Sequence, residues 1–253
     1  SDTLHIYEDE EIILDCSYFD PNKKYQYQKQ TIFKGSSFVI DHVVDVDSPD
    51  GDLSLFNSPV SLVWDVGINN TEKNLYDDVS YSGASVSYNQ EIETVSFIPN
   101  NITDNLDASI YSGGIDWAAI RTKYFILAMI PGHQGGGVVE ARVRGVSQYL
   151  SSDQVIPKYA IEVSGNLVNA ESSDVKMHIK SYLGPLDIDK INALDTTLDR
   201  IMNFGWFIIQ PFSRGILWLL KFLHSFGLNY GVILILFAFL VRVVTGPLTK
   251  KSF

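Results

Sequence analysis

Phe38-Val-Ile-Asp-His-Val-Val-Asp-Val46 and Tyr159-Ala-Ile-Glu-Val-Ser-Gly165 decide the fold of most of this chain. In both runs apolar and polar side chains change places at nearly every step. That is the period of a strand with one face buried and one face wet. Working outward, the stretches Glu11–Asp15, Val60–Ile68, Val79–Tyr88, Tyr124–Ile130 and Val138–Val146 are also short and rich in β-branched or aromatic residues, and the second quoted run extends to an expected strand over Lys158–Val168. Between them lie turn-forming clusters, SPDGD at 48–52, IPNN at 98–101 and PGHQGGG at 131–137. Closely spaced strands with no helical pattern between them predict an antiparallel β-sandwich. Trp117, Tyr124 and Phe125 are expected to fill its core, the alternative use being a cleft for an extended peptide. Cys16, the only cysteine, is expected to be a small buried hydrophobe, and no internal disulfide is possible. The glycines at 132 and 135–137 lack the Lys-Ser/Thr of a phosphate loop and read as a hairpin turn.

The pattern changes after Tyr182-Leu-Gly-Pro185. Residues 187–205 place Ile188, Ile191, Leu194, Leu198 and Ile201 at helical spacing with charges between, and Asp187 and Asp189 favour a helix start. A connecting helix is expected there. Residues 206–226 are too interrupted by Pro211, Arg214, Gly215 and Lys221 to span a bilayer. Ser213, Arg214, Lys221, His224 and Ser225 share one side of a helical projection, spoiled only by Leu217, and the rest is Trp, Phe, Leu and Ile, with Trp206 and Trp218 suited to a headgroup layer. This predicts a helix lying in a membrane interface, with packing against a soluble domain as the alternative. From Leu228 to Leu248 the chain is almost wholly apolar; at about 1.5 Å per residue those 21 residues reach about 31 Å, the thickness of a bilayer's hydrocarbon core. Inside that run sits Arg242. A cation at the centre of a span is unfavourable by about 2.5–3.5 kcal/mol on insertion scales, so it asks for a wet or paired environment, or a position close enough to the headgroups to reach them.

The charge is divided. The whole chain carries −11, yet residues 200–253 hold Arg200, Arg214, Lys221, Arg242, Lys250 and Lys251 and no carboxylate, a net of +6, which leaves −17 on residues 1–199. An acidic β domain repels phosphates, so nucleic-acid binding is not expected. Lys250 and Lys251 mark the cytoplasmic end of the span by the positive-inside rule, which places the acidic domain in a periplasm or its equivalent and the cationic end against anionic lipid. The five histidines are scattered with no i,i+4 pair, and no Gly-x-Ser-x-Gly elbow is present. No metal, cofactor or catalytic group is expected, and the chain does not read as an enzyme.

Several of these residues together carry a family resemblance. Gly205-Trp-Phe-Ile-Ile-Gln-Pro-Phe212, Leu220-Lys-Phe-Leu-His-Ser-Phe226, Asn229-Tyr-Gly231 and Phe239-Leu-Val-Arg-Val-Val-Thr-Gly-Pro-Leu-Thr-Lys250 resemble YidC, the bacterial inner-membrane protein insertase, as do Asp116-Trp117, Lys123-Tyr-Phe125 and Tyr182-Leu-Gly-Pro185 upstream. The resemblance implies that residues 1–186 are most of a periplasmic β-supersandwich, 187–205 the connecting helix, 206–227 the interfacial helix, 228–248 the first transmembrane helix of the conserved core and 249–253 a cytoplasmic end. The chain would then be a fragment of a multi-pass inner-membrane protein. Arg242 matches the residue that faces a hydrophilic groove receiving hydrophobic segments of client proteins. Many relatives carry a hydroxyl one turn before that arginine, where this chain has Ala238. Implied partners are nascent membrane proteins, the Sec translocon, the lipid bilayer and, through regions not in this chain, the ribosome. Two other classes stay open: a membrane-anchored carbohydrate-binding or sugar-processing sandwich, and a structural domain that docks translocon partners through a strand edge.

Overall fold

Alternating segments can bury their apolar side only against a second layer, and among the described residues the chain does so with twelve strands in two antiparallel sheets. The computed structural model describes residues 3, 5–20, 25–47, 59–69, 71, 74–97, 106–132, 138–151, 154–166, 175–202, 210–225 and 229–250. They belong to two units, Ser1–Ile201 and Met202–Phe253.

The first unit contains β1 (Glu11–Asp20), β2 (Tyr25–Lys34), β3 (Val39–Asp47), β4 (Pro59–Trp64), the short helix α1 (Leu75–Tyr81), β5 (Gly83–Tyr88), β6 (Glu91–Val95), β7 (Leu106–Ser112), β8 (Ile115–Arg121), β9 (Phe125–Pro131), β10 (Val138–Ser151), β11 (Gln154–Asn166) and β12 (Val175–Pro185). The larger sheet runs β1-β2-β3-β12-β9-β8-β5-β6 and the smaller β4-β11-β10-β7. Between them lies the core, in which Val86, Ala118, Ile120, Leu127, Met129, Met177 and Ile179 of the large sheet meet Val143, Ile161 and Val163 of the small one. Burying each of the larger of these side chains contributes about 1.5–3 kcal/mol. A polar tie crosses the core: the Tyr159 hydroxyl accepts from the Phe97 amide at 3.1 Å and donates to the Ser82 carbonyl at 3.3 Å. Burial pushes that phenol up to about 12, so it remains the neutral donor the bond requires.

Elements absent from the sequence reading are β2, β6, β7, β8 and β12. Where α1 stands, the expected strand at Val79 gives way to helix. Asn74 accepts from the Tyr76 amide as its N-cap, and the strand begins only at Gly83. The glycine-rich stretch near 132 is not a hairpin, because β9 pairs with β8 and β12 in one sheet whereas β10 pairs with β7 and β11 in the other. The clusters at 48–52 and 98–101 lie outside the described residues. Cys16 is exposed, not buried. It sits on the edge strand β1 opposite Lys29, alternating with Leu14 and Tyr18, which are exposed too. Trp117 is completely buried, but on the outer face of the large sheet and not between the sheets, and Tyr124 and Phe125, at 47% and 39% exposure, are not core residues. They stand at the turn from β8 into β9, where the Thr122 amide and hydroxyl close on Phe125 instead.

The large sheet also carries a histidine in an acid-sensitive position. His42 on β3 faces Thr31 of β2, its Nδ1 3.4 Å from the hydroxyl, with Lys29, Asp41 and His178 around it. Burial, reinforced by the Lys29 charge, lowers His42 to about 4 from its ordinary 6.5, and Asp41 opposes only in part. A folded-state value below the unfolded one means that the unfolded chain binds the extra proton. Stability is therefore lost as pH falls from about 6.5 toward 4. Allowing for solvent screening, the expected loss is on the order of 1 kcal/mol. Denaturant midpoints at pH 7 and pH 4.5 should differ less for His42→Gln than for wild type; equal differences would refute the assignment.

Candidate functional site

The fold leads to the stretch where the chain leaves the sandwich. On β8 and β9 the burial pattern is almost unbroken, with Trp117 to Ile120 and Ile126 to Ile130 all buried. A half-wet strand would alternate, so the outer face of the large sheet must also be covered. Ala118 and Ile120 point into the inter-sheet core, which assigns Trp117, Ala119 and Arg121 to the outer face.

Beyond Pro185 the chain enters α2 (Ile188–Asn192), capped by Asp187, whose Oδ1 accepts from the Asp189 amide at 2.9 Å. The Leu186 amide bonds the Tyr124 carbonyl at 2.7 Å. The continuous connecting helix is not formed. Asp195 takes a positive φ of 52°, which ends helical progress, and a 3-10 turn follows at Thr197–Ile201. The heptad-like spacing of Ile191, Leu198 and Ile201 is satisfied all the same, since all three are buried. Segment 186–201 is thus a strap.

Side chains of the large sheet fasten it. Trp117 donates its indole Nε1–H to the Thr197 hydroxyl at 3.0 Å. Arg121 donates from Nε to the Tyr81 carbonyl at 2.9 Å and from Nη1 to the Ile201 carbonyl. Burial lowers the Arg121 guanidinium from its ordinary value, partly offset by Tyr81, yet a group with so high a starting value stays charged. Arg200 donates to the Gln90 carbonyl at 2.9 Å, in the two-residue turn Asn89–Gln90 where both residues have positive φ. At the other end, Lys190 sits 4.2 Å above the Phe38 ring, and Phe38 packs on Tyr182. Sequence reasoning missed Arg121 and Thr197 altogether, because no local pattern marks a residue that acts 80 positions away in the chain.

The second unit consists of α3 (Gln210–His224) and α4 (Tyr230–Lys250). Along α3, Arg214, Trp218 and Lys221 are exposed, whereas Leu217, Leu219, Leu220 and Leu223 are partly covered. Trp218 stacks on Phe222 at 5.6 Å and 9°, one turn apart and beside the cationic stripe. The Ser225 amide closes the helix on the Lys221 carbonyl. Asn229 starts α4: its Oδ1 accepts from the Gly231 amide at 2.9 Å and its carbonyl from Val232 and Ile233. From Gly231 to Val243 every residue is exposed except Ile233 and Phe237. Leu234, Ile235, Phe239 and Val243 are each more than half exposed, and Arg242 is exposed among them. Trp206 and Lys251 lie outside the described residues, as does the Lys250 side chain. Among the described residues no helix is long and apolar enough to cross a membrane.

An acidic two-sheet sandwich that passes through a fastened strap into two cationic, apolar-faced helices defines the class. Residues 17–219 match the family model described as YidC periplasmic domain. Proteins named membrane protein insertase YidC are similar to this chain in Chlorobium limicola, at 31% identity over 87% of this chain and 36% of theirs, in Prosthecochloris aestuarii, at 31% with the same coverage, and in Chlorobaculum tepidum, at 30%. The chain belongs to the YidC family. It spans about a third of the length of the curated relatives it matches. A galactose mutarotase-like protein from Clostridium acetobutylicum overlaps 70% of this chain and 62% of its own at 13% identity and a TM-score of 0.34, too distant a likeness to bear on function.

Proposed function

We propose that this chain is the periplasmic β-supersandwich (1–186), connecting segment (187–205), interfacial helix (206–227) and first core transmembrane helix (228–248) of a membrane protein insertase and chaperone. It is not an enzyme: its work is to position a hydrophobic client segment and to stabilise that segment's polar flank during entry into the bilayer, alone or with the Sec translocon. Catalytic, metal and cofactor sites have no part in it. Arg242 is the residue that acts on the client, offering a fixed positive charge and up to five donors to carboxylates and carbonyls. Arg214, Lys221, Trp206 and Trp218 hold the interfacial helix at the headgroups, and Lys250 and Lys251 keep the end of the span in the cytoplasm.

The single observation that carries this reading is the one permanent cation in an otherwise apolar run, Arg242, on a helix whose apolar side chains from Val232 to Val243 are exposed except at Ile233 and Phe237. Such a surface is compatible only with lipid or further helices, and the cation only with water or a polar partner. The test is accessibility labelling of the full-length protein in its membrane. With Cys16→Ser as background, Ala238→Cys should react with a charged, membrane-impermeant thiol reagent applied from the cytoplasmic side. Leu240→Cys, on the opposite side of the helix, should not. Equal protection of both positions would remove the groove from the reading.

A further inference from the structure

The strap carries a consequence beyond client handling, and its functional arm rests on the reading above. Residues 186–201 lie on the outer face of the large sheet, their buried anchors being Ile191, Leu198 and Ile201. Apolar anchoring alone leaves a short segment free to slide or peel, because dispersion and burial have little directionality. Here the last turn is instead pinned by directional bonds to one strand. Trp117 and Arg121 stand four residues apart on β8, on the same face, and reach Thr197 and Ile201, themselves four residues apart. Rise decides the match: four strand residues cover about 13 Å and four 3-10 residues about 8 Å. The long Trp117 and Arg121 side chains take up that difference, so both bonds form at once. Any sliding of the turn breaks at least one of them. A third bond, Arg200 to the Gln90 carbonyl, prevents lateral peeling.

We infer that Arg121, with Trp117, is a positioning residue: it clamps the final turn of the strap so that the chain leaves the β domain from one fixed point at Ile201. The β domain and the exit point of the chain thereby move as one body. The clamp also explains why a half-buried guanidinium is kept where an apolar side chain would pack more cheaply, since only a donor pair reaches two carbonyls 120 residues apart in sequence, those of Tyr81 and Ile201. Thr197 is needed only as an acceptor, so its loss should loosen the clamp without touching the sheet.

The experiment uses the full-length insertase in proteoliposomes. Limited trypsinolysis after Lys190 and Arg200 is measured beside insertion of a model client, in wild type, Arg121→Met, Arg121→Lys and Thr197→Val. Cleavage at Arg200 should rise about tenfold in Arg121→Met and several-fold in Thr197→Val, with Arg121→Lys between wild type and methionine. Strand sites such as Lys29 and Arg144 should stay resistant, and client insertion should fall in the same order. Unchanged cleavage in both Arg121→Met and Thr197→Val overturns the clamp. If Arg121→Met opens strand sites as well, Thr197→Val decides, and resistance there equal to wild type overturns it too. Faster cleavage with undiminished insertion refutes the positioning role but leaves the proposed function intact. Failure of the wild type to insert the client refutes the function itself.

Discussion

Trp117→Ala should destabilise the β domain by about 3–5 kcal/mol. The indole is completely buried on the outer face of β8, between the large sheet and the strap, and its Nε1–H is spent on Thr197. Truncation removes the transfer free energy of a large aromatic side chain, leaves a cavity that β8, β9 and the strap's buried anchors cannot all close, and gives up the bond to Thr197. Few single changes in this chain remove as much. A domain with the usual margin of about 5–15 kcal/mol loses a third or more of it. Pulse proteolysis of the full-length protein across a urea series measures the effect, with Trp117→Phe as the partner variant. Phenylalanine keeps most of the volume and loses the bond, so it should recover more than half of the lost stability. If alanine and phenylalanine are equally mild, the strap does not seal the sheet.

This residue also shows what was legible in the sequence. Burial of Trp117 followed from its type alone, since no strand was expected around it, and the alternation of Phe38–Val46 and Tyr159–Gly165 led directly to β3 and β11. Why it is buried did not follow. Its cover comes from Leu198 and its neighbours, whose helical spacing reads as a continuous helix until Asp195 adopts a left-handed backbone that no side-chain pattern announces. Cys16, Tyr124 and Phe125 failed for a related reason. A strand's period tells which residues share a face, not whether a second layer reaches that face, and β1 lies at the edge of an eight-stranded sheet opposite only four strands. β2, with its Tyr-Gln-Tyr-Gln opening, is a strand of the same alternating kind whose polar half is long and amidic, which hides it from a search for β-branched residues. The candidate site was more legible than the fold around it. A cation inside an apolar run is visible from composition alone, whereas the Arg121 clamp exists only once β8 and the strap have met.

Arg242→Ala should lower client insertion by about 10- to 100-fold at matched expression, the equivalent of losing one charge-assisted interaction of about 1.5–3 kcal/mol. On α4, Ile235, Ala238 and Phe239 lie within one or two turns of Arg242 on its side of the helix, and none of them offers a polar atom beyond its own backbone. Between Gly231 and Arg242 the guanidinium is therefore the only polar side chain of α4, Thr245 and Thr249 following it on the same side toward the C-terminal end, and its removal leaves an apolar face over those turns that a client's hydrated flank gains nothing by approaching. Arg242→Lys keeps the charge and loses the fork, so its loss should be several-fold at most. The competing account is that Arg242 only reaches toward cytoplasmic headgroups and fixes the helix in the bilayer. The two differ in what a neighbouring polar group can restore. Ala238→Ser placed one turn earlier should recover part of the insertion lost in Arg242→Lys if the surface faces a wet groove, because the hydroxyl adds a donor where the client passes. It should change nothing if the arginine is a headgroup anchor, since a hydroxyl that deep does not reach the interface. Equal insertion by wild type and Arg242→Ala would end the groove account, and no rescue by Ala238→Ser beside a clear Arg242→Lys defect would move the role of Arg242 from client binding to anchoring.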